Sequence, residues 1–147
     1  MATISKVSTE KQTGERDYRD WDMHLTQVAT THSPVRPAIV CLCGSTRFWK
    51  EFQRASLKET LAGRIVLSIG AASGTDDEHF GNLPKPEYER IKAMLDDLHL
   101  RKIELADEVL ILNVGGYIGV STRRELEHAR RLGKPVRFLE PQPVGAT

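Results

Sequence analysis

From Ala38 onward the chain alternates between two hydrophobic textures. "AIVCLC" (38–43) is a continuous apolar run, as a strand covered on both faces requires. Residues 47–62 then place Phe48, Phe52 and Ala55 on one side of a helix. "RIVLSIG" (64–70) reads as a second strand, and 71–86 as a loop rich in Gly, Asp and Pro. Residues 87–105 predict a long helix with Ile91, Leu95, Leu98 and Leu105 as its apolar stripe, leaving Met94 and Ile103 off it. "EVLILNV" (108–114) is a third strand, followed by the glycine-rich loop "GGYIGVS" (115–121). "TRRELEHARRLG" (122–133) predicts a helix with Leu126, Ala129 and Leu132 inward and Gly133 just past its end. "KPVRFLE" (134–140) is the last strand.

Strand and helix in turn, three times and then a strand, predict an α/β fold: a three-layer, doubly wound parallel sheet of about four to five strands, flavodoxin- or Rossmann-like. This domain is expected over 37–140, with a flexible tail over 141–147. Residues 1–36 differ. The first fifteen or so read as a flexible arm. Tyr18, Trp21, Leu25 and Val28 then mark one face of a short amphipathic helix, and "SPVRP" closes the segment.

Composition narrows the possibilities. A net charge of +1 offers no field for gripping a nucleic-acid polymer. No apolar run is long enough to span a bilayer, and the first twenty residues carry no apolar signal core, so a cytoplasmic protein without a membrane partner is expected. The two cysteines, Cys41 and Cys43, stand at i and i+2 of a strand and point to one face. That spacing does not suit a disulfide between them. No second cysteine pair completes a metal site, so they read as small buried apolar residues, and neither a metal nor a cofactor is expected.

In an open parallel sheet, ligands bind beyond the carboxyl ends of the strands. Three small, polar, glycine-rich loops fall there: Gly44-Ser45-Thr46-Arg47, residues 70–75, and the loop from Gly115 to Thr122. Two of them open helices, whose N-termini favour phosphate. Arg47 and Arg123–Arg124 add full charges. Gly44, Ser45, Thr46, Arg47, Gly116, Tyr117, Gly119, Ser121 and Thr122 are therefore the candidate substrate- and phosphate-binding residues. Tyr117 is the best placed aromatic for stacking on a base, ahead of Phe80 and Tyr88. Glu125 lies in the first turn of the predicted last helix. It fits a capping box with Thr122, or a carboxylate held at the ligand edge.

"CGSTR", "ADEVLILN" and "STRRELEHARRLGKPV" resemble the nucleoside 2-deoxyribosyltransferase superfamily over residues 38–140, and within it the 2′-deoxynucleoside 5′-phosphate N-hydrolases and related nucleotide N-glycosidases. The resemblance implies that Glu125 attacks C1′ of a nucleoside or nucleotide, expels the base and forms a glycosyl-enzyme. It also implies an association of subunits, here a homodimer. Three positions depart from the family pattern. His99 stands where an aspartate is usual, with Asp96 and Asp97 a turn earlier. Cys41 or Leu42 stands for a tyrosine, and Ser121 for a glycine. The catalytic set expected is Glu125, His99 and Asp97; the alternative is a nucleotide-binding module without turnover.

Other polar clusters read more plainly. "TDDEHF" (75–80) suits a solvated acidic loop better than a Mg²⁺ site. His128 reads as an exposed helical histidine, and Arg130, Arg131 and Lys134 as cations at a helix C-terminus.

Overall fold

The computed structural model describes residues 35–71 and 73–142. The arm, the Tyr18–Val28 stripe and the last five residues lie outside them. The chain separates into two units, Met1–Arg36 and Pro37–Thr147, and the fold below is that of the second.

Four strands form one all-parallel sheet in the order β2-β1-β3-β4: β1 Ile39–Cys43, β2 Ile65–Leu67, β3 Glu108–Ile111 and β4 Val136–Phe138. Helix α1 (Trp49–Leu61) follows a 3-10 turn at Thr46–Phe48 and joins β1 to β2. A short helix α2 (Asp76–Phe80) and the long α3 (Lys85–Leu105) join β2 to β3, and α4 (Val120–Arg131) joins β3 to β4. The expected three-layer α/β fold is present.

The period of two in a strand divides the core. Val40, Leu42, Leu110 and Leu112 turn to one face and pack with Phe52 and Ala55 of α1. Cys41, Cys43, Val109 and Ile111 turn to the other and pack with Ile103 of α3, Ala106, and Leu126 and Ala129 of α4. Each face contributes roughly 1.5–3 kcal/mol per fully buried aliphatic side chain. At the amino-terminal end of the sheet, Arg137 pairs with Glu59 (2.8 Å) and Glu108 (3.0 Å), and Arg64 with the same two carboxylates. At the other end, the Asn113 side chain accepts from the Glu140 amide and donates to its carbonyl, tying the end of β3 to the chain after β4.

Two elements differ from their sequence patterns. Helix α3 buries His99 and Ile103, while Leu95, Leu98 and Leu105 are exposed along with Met94. The helix is rotated from its most apolar stripe because His99 meets the cysteines of β1 and Ile103 enters the core beside Ala106. Residues 75–80 are not an irregular acidic loop but a helical turn with its own capping box. Thr75 Oγ1 accepts from the Glu78 amide, and Glu78 closes back on the Thr75 amide at 2.5 Å. Its other acids are occupied too, Asp77 by Tyr88 Oη at 2.7 Å and Asp76 by Lys92 at 3.4 Å.

Candidate functional site

The connections from β1 leave to β2 on one side, while β3 and β4 lie on the other. The topological switch point therefore falls between the carboxyl ends of β1 and β3. Of the three loops expected at this edge, those after β1 and β3 meet there. After β1, Gly44 packs against Leu112 so closely that a Cβ would stand 3.0 Å from the Leu112 Cβ. Ser45 and Thr46 are half-buried, and Ser45 opens the 3-10 turn. After β3, Gly115 and Gly116 turn the chain at φ +59° and +77°, a region that favours glycine. Tyr117 then crosses to the β1 loop. The Arg47 guanidinium lies 4.4 Å from its ring centre, and Phe48 meets it edge-on at 5.9 Å. Gly119 is extended and lies under the Tyr117 ring, where a Cβ would come 3.2 Å from Oη.

Helix α4 begins at Val120, with Gly119 as its N-cap and no side-chain cap. Thr122 is therefore inside the helix and buried, and Glu125 lies in its second turn, not its first. The Thr122–Glu125 capping box does not form. Glu125 turns inward instead, 8% exposed, and its Oε2 has no hydrogen-bond partner. Its carboxyl interacts with the thiol of Cys43, the last residue of β1, and with the charge of His99.

His99 comes from α3 and is buried. Its Nε2 stands 3.4 Å from Cys43 Sγ and 3.8 Å from Cys41 Sγ. Leu42 faces the opposite side of the sheet with Phe52, so Cys41 is the β1 residue on the site's face. The cluster is electrostatically tight. Burial pushes the Glu125 carboxyl up, against the favourable pull of His99. Burial lowers His99, but the hydrogen bond its protonated ring donates to Cys41 and the charge of Glu125 outweigh it and leave His99 raised. The Cys43 thiol, with support from His99, lowers Cys41 to about 6, while the Cys41 partner and burial push Cys43 up.

Asp97 does not join this set. It is exposed and pairs with Arg101 at 3.8 Å. Asp96, three residues before His99 and so on the same helix face, is the carboxylate that reaches it. Asp96 approaches Arg124 at 4.0 Å, and its charge acts on Glu125. Asp96, Leu100, Ser121, Arg124 and Glu125 line a small pocket of about 10 Å³, room for about one water. It adjoins a wider cleft of about 310 Å³ between α3 and α4, which shares Asp96, Leu100 and Arg124 and also reaches Lys92 and Asp97. His128, expected to be exposed, is half-buried with Nε2 at 3.3 Å from Glu104.

The site unites most of the expected residues and corrects others. Gly44, Ser45, Thr46, Arg47, Gly116, Tyr117 and Gly119 form the two facing loops, while Ser121, His99 and Glu125 fall in or beside the small pocket. Sequence reasoning missed the role of the cysteines as partners of His99, because their converging depends on a helix 56 residues away. Among the described residues, Cys41, Cys43 and His99 are a group whose donor atoms all lie within 4.8 Å of one another.

Fold and site together define a parallel α/β protein with a buried glutamate–histidine–dithiol cluster beside the carboxyl end of its first strand. No family model matches the chain, nor does any curated protein or solved structure. Among the described residues no helix is long and apolar enough to cross a membrane.

Proposed function

We propose that this protein hydrolyses, or transfers, the N-glycosidic bond of a nucleoside 5′-monophosphate or nucleoside, with Glu125 as nucleophile. The observation that carries the reading is the orphaned Glu125 oxygen, buried beside His99 at the switch point of the sheet. A carboxylate so placed can bond to C1′ as the base departs, and His99 can hold the proton that the leaving base needs. The glycosyl-enzyme is then resolved by water or by a second base. The Arg47–Tyr117 contact holds a cation where the β1 and β3 loops meet, suited to a phosphate, while the Tyr117 ring is itself covered by Arg47 and Gly119 and supports the loops instead of stacking on a base. Likeness of "CGSTR" and "STRRELEHARRLGKPV" to the deoxyribosyltransferase superfamily supports the same reading. A cytoplasmic homodimer belongs to it, with the exposed Met94–Leu98 face of α3 as the surface to be covered.

One observation favours the second reading, a nucleotide-binding module without turnover. The pocket at Glu125 holds about 10 Å³, whereas small-molecule sites typically occupy about 300–1,000 Å³. Catalysis therefore requires that the Arg124–Asp96 pair part and join the pocket to the wider cleft. Incubation with a panel of ribo- and deoxyribonucleosides and their 5′-monophosphates, with chromatography of released base, decides between them. Base release supports the enzyme. Calorimetric binding of the same compounds without release supports the module.

A further inference from the structure

Two thiols converge on one nitrogen in the core. Cys41 Sγ and Cys43 Sγ lie 3.8 and 3.4 Å from the same His99 Nε2. One imidazole nitrogen has a single proton or lone pair, so it can hydrogen-bond one sulfur at a time. A metal ion between them satisfies all three. Zn–S bonds of about 2.3 Å and Zn–N bonds of about 2.0–2.1 Å in a tetrahedron put the donor atoms about 3.5–3.8 Å apart. Both sulfur-to-nitrogen separations lie close to that range. Among the described residues these three donor atoms lie within 4.8 Å of one another, and three protein donors with an open fourth position are a known zinc arrangement.

We infer that Cys41, Cys43 and His99 bind a thiophilic metal ion of the Zn²⁺ class as its three protein ligands. Thiolate and imidazole donors select such ions over Mg²⁺ or Ca²⁺. All three donors are buried, so the ion enters as the chain folds. The inference rests on the dithiol–imidazole geometry and not on the glycosidase reading, but it has a consequence for that reading: a His99 Nε2 engaged on the ion is not free to hold the leaving base's proton.

The test refolds the full chain from urea with one equivalent of Co²⁺, a coloured stand-in for Zn²⁺. The expected result is one ion per chain, with thiolate-to-cobalt absorption in the near ultraviolet and tetrahedral bands in the visible, lost on adding Zn²⁺. Cys43→Ala and Cys41→Ala keep apolar side chains in the core, and circular dichroism checks that they fold. Each is expected to weaken binding by more than about a hundredfold, beyond the loss of an outer-shell partner. A wild-type chain that refolds without these bands overturns the site, as do bands that persist in a Cys41→Ala, Cys43→Ala double variant. Base release is read separately on metal-free protein, so failure of either proposal leaves the other standing.

Discussion

A carboxylate taken out of water costs several kcal/mol unless it is paired, and Glu125 keeps an oxygen without a partner. Nothing in the helix needs that group, since α4 is capped at Gly119. Glu125→Gln is nearly isosteric and removes only the charge. It is expected to abolish base release while leaving the thermal midpoint within a few degrees of wild type, measured by chromatography and calorimetry. Turnover near the wild-type rate would place the nucleophile elsewhere. Arg47 has a different task. Its guanidinium stacks on Tyr117 at the loop edge, where a phosphate would meet it. Arg47→Ala is expected to weaken 5′-monophosphates by about 1.5–3 kcal/mol, roughly tenfold or more, and free nucleosides far less. Titration calorimetry with matched pairs reads the difference, and equal loss for both classes would refute a phosphate contact.

The same four-residue pattern, threonine then glutamate three positions on, occurs at Thr75–Glu78 and at Thr122–Glu125. The first makes a capping box and the second does not. The deciding factor is where the helix starts. Gly119 is extended and lets α4 begin at Val120, two residues ahead of Thr122, which then packs inside. Thr75→Ala is therefore expected to cost about 1 kcal/mol in chemical denaturation. Thr122→Val, which removes the hydroxyl from a buried helical position, is expected to lack that penalty. A loss of about 1 kcal/mol in Thr122→Val would restore the capping role. Helix α3 carries a second consequence of orientation. Because His99 and Ile103 face the sheet, Met94, Leu95 and Leu98 face outward. If a second copy covers that face, Leu98→Glu converts a sedimenting dimer to monomer. An unchanged dimer would move the contact elsewhere, and a wild-type chain that is monomeric at every micromolar concentration would end the dimer proposal.

At the scale of the whole molecule the two ends of the sheet have different work. The carboxyl end holds the loops and Glu125. The amino end is pinned by Glu59, Arg64, Glu108 and Arg137, which join α1, the turn before β2, β3 and β4. The Arg137 hydrogen bonds, with help from Arg64, hold the buried Glu59 carboxyl below its ordinary value despite its burial. A depressed carboxylate stabilises the fold above its unfolded value, about 4.3 for glutamate, and that contribution is lost as pH falls through the folded value. Stability is thus expected to decline below about pH 4.3. Glu59→Gln is expected to cost about 1–3 kcal/mol near neutral pH, with the gap to wild type narrowing as the pH drops. A gap that stays constant from pH 7 to pH 3 would show that the charge of Glu59 contributes nothing.

What the sequence determined by itself is the order of elements and the edge where the loops gather. Those follow from local signals: continuous apolar runs for covered strands, helical spacing between them, and glycines at the turns. Gly115 and Gly116 were legible as loop residues, and their positive φ explains why glycine stands there. The tertiary structure decided which face each helix turns inward. The most apolar stripe of α3 lost to His99 and Ile103, and Asp97 gave way to Asp96, because a helix packed on a sheet is oriented by all its partners at once. It also decided what Cys41 and Cys43 meet. Their spacing told that they share a face, but the imidazole between them arrives from α3, 56 residues after Cys43. Local periodicity carries no information about that distance, since only the winding of β2 and α3 around β1 brings the donors together.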